Sequence, residues 1–274
     1  MSLNRPGETL FTERTPRVVA ARKLTRRAGR DDAGAFLAEG PQAVREALAS
    51  PGIVRHLYAD PDAVVRHAAL VAAAREAGVP VDLVTPKGMA ALSETVSPQG
   101  LVAVCSAIDV GLDAALAAGP RLVAVLDEIR DPGNAGTVMR CADAAGAGAV
   151  VFTAESVDPY NGKAVRASAG SLFHLPLVSG VSTSDTFAAL RAAGLQVFAT
   201  TGSGEDDLDD LIDAGELAAP TAWVFGNEAR GLDPEVAAAA DRRVRIPIHG
   251  RAESLNLAMA ATVCLYASAR AHRP

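Results

Sequence analysis

Three polar loops contain residue types that can bind nucleotides and take part in proton transfer. They are residues 127–140 (DEIRDPGNAGTVMR), 226–232 (GNEARGL) and 247–256 (PIHGRAESLN), and each follows a short apolar run. In an open parallel sheet, ligands bind where the loops at the carboxyl ends of the strands converge. We therefore expect the three loops to meet at one site.

The first loop predicts a turn that leads into a helix. Its Asp-Pro-Gly-Asn stretch makes Asn134 a candidate N-cap, and Arg140 follows six residues later. The two side chains then lie on different faces but within two turns of one helix N-terminus. That terminus attracts anions, and Arg140 adds charge and paired donors for a phosphate. The residues alone also allow a plain cap beside a surface arginine.

The other two loops are read in a similar way. Gly226 allows the backbone to approach a flat ligand closely. Glu228 either binds a ribose hydroxyl or ammonium group or begins a helix near Pro234, and Ser254 is the expected N-cap of the last helix. The glycine fingerprint of a dinucleotide site is missing, and Gly202-Ser-Gly204 is too short for a phosphate loop.

Apolar and amphipathic runs alternate along the 274 residues and predict an α/β protein of two domains. We expect a loose tail at 1–14, a first domain at 15–108, a linker at 109–120 and a second domain with a parallel sheet at 121–274. The predicted helices cover residues 15–30, 41–49, 63–77, 87–92, 135–145 and 183–193, with a last one from about 254. The predicted strands cover residues 54–58, 81–84, 101–108, 122–126, 149–152, 195–199, 222–225 and 244–246.

Charge is distributed unevenly. The formal net charge of −6 argues against a nucleic-acid partner, but residues 14–30 hold seven basic and no acidic side chains. A local basic arm can bind RNA on an acidic protein, and a solvated helix face is the equal alternative. An acidic run at 205–216 has no assigned role.

Cysteine usage predicts buried thiols in a reducing cytosol. Cys105, Cys141 and Cys264 are far apart, with no pair or cluster typical of a disulfide framework or a metal site. No signal peptide and no membrane span are evident. We therefore expect a cytoplasmic protein without a metal.

Taken together, the three loops resemble the three motifs of the SpoU (TrmH) RNA 2′-O-methyltransferases of the SPOUT superfamily. The first motif is matched by Asn134, Gly136 and Arg140, and the second by Gly226, Glu228 and Gly231. The third is matched from Ile246 through Asn256 (IPIHGRAESLN). Weaker similarity at residues 38–40, 99–100 and 164–176 extends the resemblance over roughly residues 20 to 270.

The resemblance implies a trefoil-knotted C-terminal methyltransferase domain, a smaller N-terminal L30e-like α/β domain, and a homodimer. It implies S-adenosylmethionine as cofactor, held largely by backbone in the knot loops. The implied cofactor residues are Thr200, Thr201, Gly202, Phe225, Gly226, Asn227, Gly231, Ile246, Pro247, Ile248, Ser254, Leu255 and Asn256.

For catalysis, the resemblance implies that Arg140 activates a ribose 2′-hydroxyl. Because arginine is essentially always protonated, Arg140 either acts electrostatically or is perturbed by RNA and the fold. Asn134 would orient Arg140 or the cofactor, and Glu228, Ser254 and Asn256 would shape the pocket.

RNA would be bound by the basic residues Arg14, Arg17, Arg22, Lys23, Arg26, Arg27 and Arg166. A separate N-terminal domain favours structured ribosomal RNA over transfer RNA. Two alternatives of other classes remain: a Rossmann nucleotide-dependent enzyme, and a catalytically inactive RNA-binding protein on the same fold.

Overall fold

The computed structural model describes residues 10–273, which form two compact units. The first unit holds the residues up to Ile108 and also Tyr160–Phe173, and the second holds Asp109–Pro159 and the residues from His174 onward. The chain therefore passes between the units three times, where the sequence predicted one linker. Residues 109–120 are part of the second unit and contain a short helix with buried Ala115 and Leu116.

The first unit is a four-stranded sheet with helices around it. In chain order it contains α1 (Pro16–Arg22), a 3-10 turn (Lys23–Thr25), α2 (Arg27–Ala33), β1 (Ala35–Glu39), α3 (Pro41–Ala49), β2 (Val54–Ala59), α4 (Pro61–Arg66), α5 (Ala68–Glu76), β3 (Val81–Leu83), α6 (Pro86–Leu92) and β4 (Leu101–Ser106). The strand order is β1-β4-β2-β3, in which β4 runs antiparallel to β1 and β2.

Three expectations for this unit need correction. The predicted helix at 15–30 is broken after the 3-10 turn, because the backbone of Arg26 is extended (φ −110°, ψ 141°). The chain then packs back closely, and a Cβ on Gly29 would lie 2.2 Å from the Lys23 carbonyl oxygen. The predicted helix at 63–77 is two helices that break at non-helical His67. In the predicted loose tail, residues 1–9 lie outside the described residues, whereas the Phe11 amide donates to Leu83 of β3.

The second unit is a seven-stranded parallel sheet with helices on it. It contains α7 (Leu112–Leu116), β5 (Leu122–Leu126), α8 (Pro132–Ala144), β6 (Ala149–Thr153), an excursion into the first unit with α9 (Gly162–Ala167), β7 (Leu177–Val181), α10 (Thr183–Ala192), β8 (Gln196–Thr200), β9 (Asp206–Asp207), α11 (Leu208–Asp213), β10 (Thr221–Phe225), α12 (Pro234–Ala239), β11 (Arg242–Arg245) and α13 (Leu257–Ala271). The strand order is β7-β6-β5-β10-β8-β11-β9, which confirms the predicted parallel core.

The central strands are buried on both faces, as the unbroken apolar runs predict. Along β5, Val123 and Val125 belong to the cluster that packs on Phe187 and Leu190 of α10. On β10, which pairs with β5, Trp223 points to the opposite face of the sheet, and its indole N–H donates to the Ser268 hydroxyl of α13. The sheet is therefore the middle layer of three. Within residues 10–273, no helix combines the length and the apolar composition needed to cross a bilayer.

Candidate active site

The N-terminus of α8 forms the base of the site. Asp131 is its N-cap, since its carboxylate accepts from the Asn134 amide at 2.8 Å, and Pro132 opens the helix. Asn134 is therefore not the N-cap that the sequence predicted, because Asp131 stands one turn earlier and takes that position. The side chain of Asn134 is thus available for other partners.

Glu228 is one of these partners. The second loop forms a tight hairpin in which Asn227 and Gly231 exchange backbone hydrogen bonds. The Glu228 carboxylate accepts from the amides of Arg130 and Asp131 at 3.1 and 3.0 Å, and from Nδ2 of Asn134 at 3.3 Å. A carboxylate at a helix N-terminus is favoured by the helix dipole. Glu228 does not begin α12, which is capped by Asp233.

Asn256 is the second partner. Its Oδ1 caps α13 by accepting from Ala258 and Met259, and its Nδ2 donates to Oδ1 of Asn134 at 3.2 Å. Ser254, the expected cap, is exposed and lies two residues before the actual one. Glu228, Asn134 and Asn256 thus form one hydrogen-bonded row that joins all three loops.

Helices α8 and α13 run parallel beside this row. Asn134 contacts Asn256 at their N-termini, and further along Cys141 Sγ lies 2.9 Å from Thr262 Oγ1. The N-termini of both helices, which carry the positive ends of the helix dipoles, therefore lie next to each other at the Asn134–Asn256 contact.

Arg140 lies apart from the row. Six residues beyond Asn134, it is displaced about 9 Å along α8. Its side chain is exposed and has no hydrogen-bond or ion-pair partner among residues 10–273. The guanidinium is therefore free to bind an incoming group.

A cavity of about 200 Å³ lies at the ends of β8 and β11. Seven of the predicted cofactor residues line it: Thr200, Thr201, Gly202, Ile246, Ile248, Ser254 and Leu255. Val244, Glu253 and Ala260 complete the lining. Apolar side chains, hydroxyl groups and one carboxylate thus face the same space.

The other predicted cofactor residues do not line this cavity. Phe225 is fully buried in the core, and a Cβ on Gly226 would lie 2.4 Å from the Leu232 amide nitrogen. Asn227 stabilises the hairpin by accepting from Ala229 and donating to the Glu128 carbonyl. Gly231 supplies a φ of 71°, and neither Pro247 nor Asn256 reaches the cavity wall.

Glu128 is a residue of this region that sequence reasoning missed. It adopts a left-handed φ of 53°, and its carboxylate lies 2.6 Å from the Arg230 guanidinium. Such strained backbone at a non-glycine residue is concentrated at functional sites. Its neighbour Asp127 is buried and accepts from the Thr183 hydroxyl. The run of polar residues after β5 was the available signal.

The predicted RNA-binding residues lie in the first unit and differ in their partners. Arg17 pairs with Asp82, Arg27 lies 3.9 Å from Asp31, and Arg166 lies 3.0 Å from buried Glu39. By contrast, Arg14 is exposed, and Arg22, Lys23 and Arg26 line an open cleft of about 840 Å³.

The acidic run has a structural role. Glu205, Asp206, Asp207 and Glu216 pair with the arginines of β11, which are Arg242, Arg243 and Arg245. These contacts join β11 to the segment that follows β8. Across residues 10–273, no cluster of three or more His, Cys, Asp or Glu side chains is placed to hold a metal ion.

Comparison with known proteins fits this geometry. A model of the SpoU rRNA Methylase family matches residues 121–266, and one of the MRM3-like substrate binding domain matches residues 15–103. The 23S rRNA (guanosine(2553)-2′-O)-methyltransferase RlmP of Bacillus subtilis is 33% identical over 245 residues, which cover 89% of this chain and 92% of the relative.

Two solved structures are similar over nearly their whole length. The AdoMet-bound rRNA methyltransferase from Sinorhizobium meliloti has a TM-score of 0.81 at 32% identity and covers 96% of this chain and 97% of that one. The SpoU methyltransferase AviRb from Streptomyces viridochromogenes, in complex with AdoMet, has a TM-score of 0.81 at 31% identity and covers 93% and 98%. The chain therefore belongs to the SpoU rRNA methylase family.

Proposed function

We propose that this protein transfers a methyl group from S-adenosylmethionine to a ribose 2′-hydroxyl of 23S ribosomal RNA. The observation that carries the proposal is the Glu228–Asn134–Asn256 row, which joins the three motif loops through direct hydrogen bonds. The similarity to RlmP and AviRb supports both the reaction and the ribosomal substrate.

The cavity residues fit the cofactor. Ile246, Ile248 and Leu255 offer apolar surface for an adenine ring, and the hydroxyls of Thr201 and Ser254 and the Glu253 carboxylate offer polar contacts. The sulfonium of S-adenosylmethionine supplies an activated methyl group. The protein's task is then to align the acceptor oxygen with that group and to exclude competing geometries.

Arg140 would act on the acceptor. An arginine guanidinium is a fixed positive charge with paired donors, so Arg140 would favour loss of the 2′-hydroxyl proton by its charge and could hold the adjoining phosphate. Asn134 is immobilised by Glu228 and Asn256, and this fixes the first turn of the helix that carries Arg140. Ser254 is exposed and lines the cavity, so its hydroxyl would contact the bound cofactor.

The first unit would choose the RNA. Its match to a substrate binding domain and its mixed four-stranded sheet support an L30e-like module at residues 15–108, with Arg14, Arg22, Lys23 and Arg26 as phosphate contacts. Arg17, Arg27 and Arg166 would contribute less, because carboxylates already lie beside them. A ribosomal substrate would be met in the cytoplasm, which supports the expected location.

A trefoil knot in the second unit is supported by the order of its strands. β8 and β9 follow each other in the chain and run parallel, yet β11 lies between them in the sheet. The short connection from β8 to β9 must therefore cross β11, and the chain beyond β11 continues past that crossing. Knots are rare exceptions among folds, and this strand order is the kind of arrangement that makes one.

A homodimer is supported by the exposed face of α13. Met259, Val263 and Tyr266 recur every three or four residues and are 52%, 42% and 49% exposed. A contiguous apolar helix face of this kind marks an interaction surface. Met259→Asp with Tyr266→Asp should convert a dimer to a monomer in analytical ultracentrifugation.

The decisive experiment measures transfer of labelled methyl groups to purified 23S rRNA, 16S rRNA and tRNA, followed by mapping of 2′-O-methylation. We expect a single methylated ribose in 23S rRNA, seen as local resistance to alkaline cleavage. Methylation of tRNA alone would replace the proposed substrate. RNA binding without any transfer would support an inactive RNA-binding protein instead.

A further inference from the structure

The connection between β8 and β9 is an arch over β11. Thr200 at the end of β8 pairs with Val244 from one side, and Asp206 at the start of β9 pairs with the same Val244 from the other. Residues 201–205, called the arch here, must therefore carry the chain from one edge of β11 to the other.

The arch lies directly on the backbone of β11. A Cβ on buried Gly204 would sit 2.5 Å from the Arg243 carbonyl oxygen and 2.8 Å from the Arg245 amide nitrogen. The Thr201 amide donates to the Val244 carbonyl, and the Gly204 amide donates to Thr201. Only glycine permits so close an approach of two backbones.

Arg245 fastens the arch from the side. Its Nη1 donates to the carbonyl oxygens of Gly204 and Glu205 at 3.0 and 3.2 Å, and its Nη2 lies 3.0 Å from the mostly buried carboxylate of Asp207. Arg243, on the same strand, bonds instead to the side chain of Glu205. The two arginines have equal charge, but Arg245 bonds to the backbone of the arch, whereas Arg243 bonds to a side chain of the arch.

The arch and β11 both contribute to the lining of one cavity. Thr201 and Gly202 of the arch line it next to Thr200 of β8, and Val244 and Ile246, the neighbours of Arg245 in sequence, line it as well. Side chains alternate along a strand, so Arg245 contacts the arch while the side chains of Val244 and Ile246 project from the other face of the strand and line the cavity.

We propose that Arg245 is a positioning residue for the cofactor: its guanidinium holds the arch on β11 and so keeps Thr201 and Gly202 in place in the lining of the cavity. The proposal rests on the location of the S-adenosylmethionine site given above. Without these hydrogen bonds the arch samples other positions, and the cofactor binds only the competent fraction, which weakens the apparent affinity by that fraction.

The test compares Arg245→Gln and Arg245→Lys with Arg243→Gln as a charge-matched control. Titration calorimetry with S-adenosylmethionine should show binding at least about tenfold weaker for Arg245→Gln, intermediate for Arg245→Lys and within about twofold of wild type for Arg243→Gln. The amides of Thr201 and Gly204 should exchange hydrogen faster in the ligand-free Arg245→Gln protein. In steady state, KM for the cofactor should rise while kcat at saturation stays nearly unchanged.

A second variant separates failure of the site from failure of the inference. Leu255→Asp places a charge on the cavity wall and should abolish cofactor binding. If it does so while Arg245→Gln binds as tightly as wild type, the cavity is correct and the role of Arg245 is overturned. If Leu255→Asp binds normally, the site lies elsewhere and the proposal falls with it. If Arg245→Gln does not fold, Arg245→Lys decides by the same two readouts.

Discussion

The side-chain amide of Asn256 donates to Oδ1 of Asn134 at 3.2 Å, and this contact determines which atoms donate and which accept along the Glu228–Asn134–Asn256 row. Oδ1 of Asn256 already caps α13, so its nitrogen must face Asn134. A carboxylate can only accept when ionised, so Asn134 must turn its own nitrogen towards Glu228. The amide of Asn134 is thus oriented by partners on both sides, which no other side chain of similar size would satisfy.

Asn134→Asp should break this row without unfolding the chain. It replaces the donor to Glu228 by a second carboxylate, and like charges at hydrogen-bond distance repel. We expect methyl transfer to fall by at least about 100-fold, equivalent to ~2.7 kcal/mol of barrier. Circular dichroism should show a retained fold.

The matched control for that variant is Gln42→Glu. Gln42 also donates to a glutamate, Glu46 at 2.9 Å, but in the first unit and on the exposed face of α3. Its activity should stay within about twofold of wild type. Equal losses in the two variants would mean that general destabilisation, and not the row, explains the effect.

Arg140→Lys tests the guanidinium itself. Because Arg140 is exposed and without a partner among the described residues, replacing it should change stability by less than about 0.5 kcal/mol. Lysine keeps the charge but loses the paired, planar donors. We expect turnover to fall by about 100-fold or more in a labelled-methyl assay. Near-wild-type turnover would show that charge alone suffices.

The cleft residues Arg22, Lys23 and Arg26 should dominate the salt dependence of RNA binding. Each phosphate contact adds about 0.7 to 0.9 to the slope of log affinity against log salt. Changing all three to Gln should therefore reduce the slope by about two to three units in filter binding. The triple change Arg45→Gln, Arg66→Gln and Arg75→Gln removes equal charge elsewhere in the same unit. If both triple variants lower the slope equally, binding is not localised to the cleft.

The parts of the fold that local pattern controls were predictable from sequence. The unbroken apolar run Leu122–Leu126 has the same bounds in the structure, since burial on both faces leaves no other pattern. Pro41–Ala49 is also placed as expected, because Gly40 and Pro41 mark its start. The three motif loops do converge through Asn134, Glu228 and Asn256.

Features that depend on distant partners were not predictable. Ser254 and Asn256 are both good caps, and contact with Asn134, 122 residues away, accompanies the choice of Asn256. Arg166 pairs with Glu39, 127 residues away, so its neutralisation has no local signal. The excursion of Tyr160–Phe173 into the first unit depends in the same way on contacts such as the stacking of Phe36 on Tyr160.

The three thiols should differ in reactivity. Burial raises the pKa of Cys105 to about 12 and also raises the pKa of Cys264, whereas Cys141 is partly exposed. Ellman's reagent should therefore modify one thiol in the native protein and three in urea. Loss of this single reactivity in Cys141→Ser would assign it, and rapid modification of two or three thiols would contradict the burial.

The same shift predicts a stability change in alkali. The folded state keeps the Cys105 proton up to about pH 12, while the unfolded thiol releases it near its ordinary value of 9.0. The unfolded state therefore loses protons first, and the free energy of unfolding falls as the pH rises through this window. Urea titrations from pH 8 upward should show a shallower fall in Cys105→Ala than in wild type. Parallel curves would mean that Cys105 titrates alike in both states.

Ser268→Ala should destabilise the second unit through Trp223. Both residues are fully buried, and the indole N–H donates to the Ser268 hydroxyl at 2.9 Å. Alanine leaves that N–H without a partner, which costs about 1–3 kcal/mol of unfolding free energy. A double-mutant cycle tests this hydrogen bond directly. Trp223→Phe removes the indole donor, and it also changes the edge-to-face contact with Phe198. In the double variant the indole donor is gone, so no N–H is left unpaired. The unfolding free energy lost by the double variant should therefore be smaller, by about 1 kcal/mol, than the sum of the losses in the two single variants. Strict additivity would show that the hydrogen bond does not couple β10 to α13.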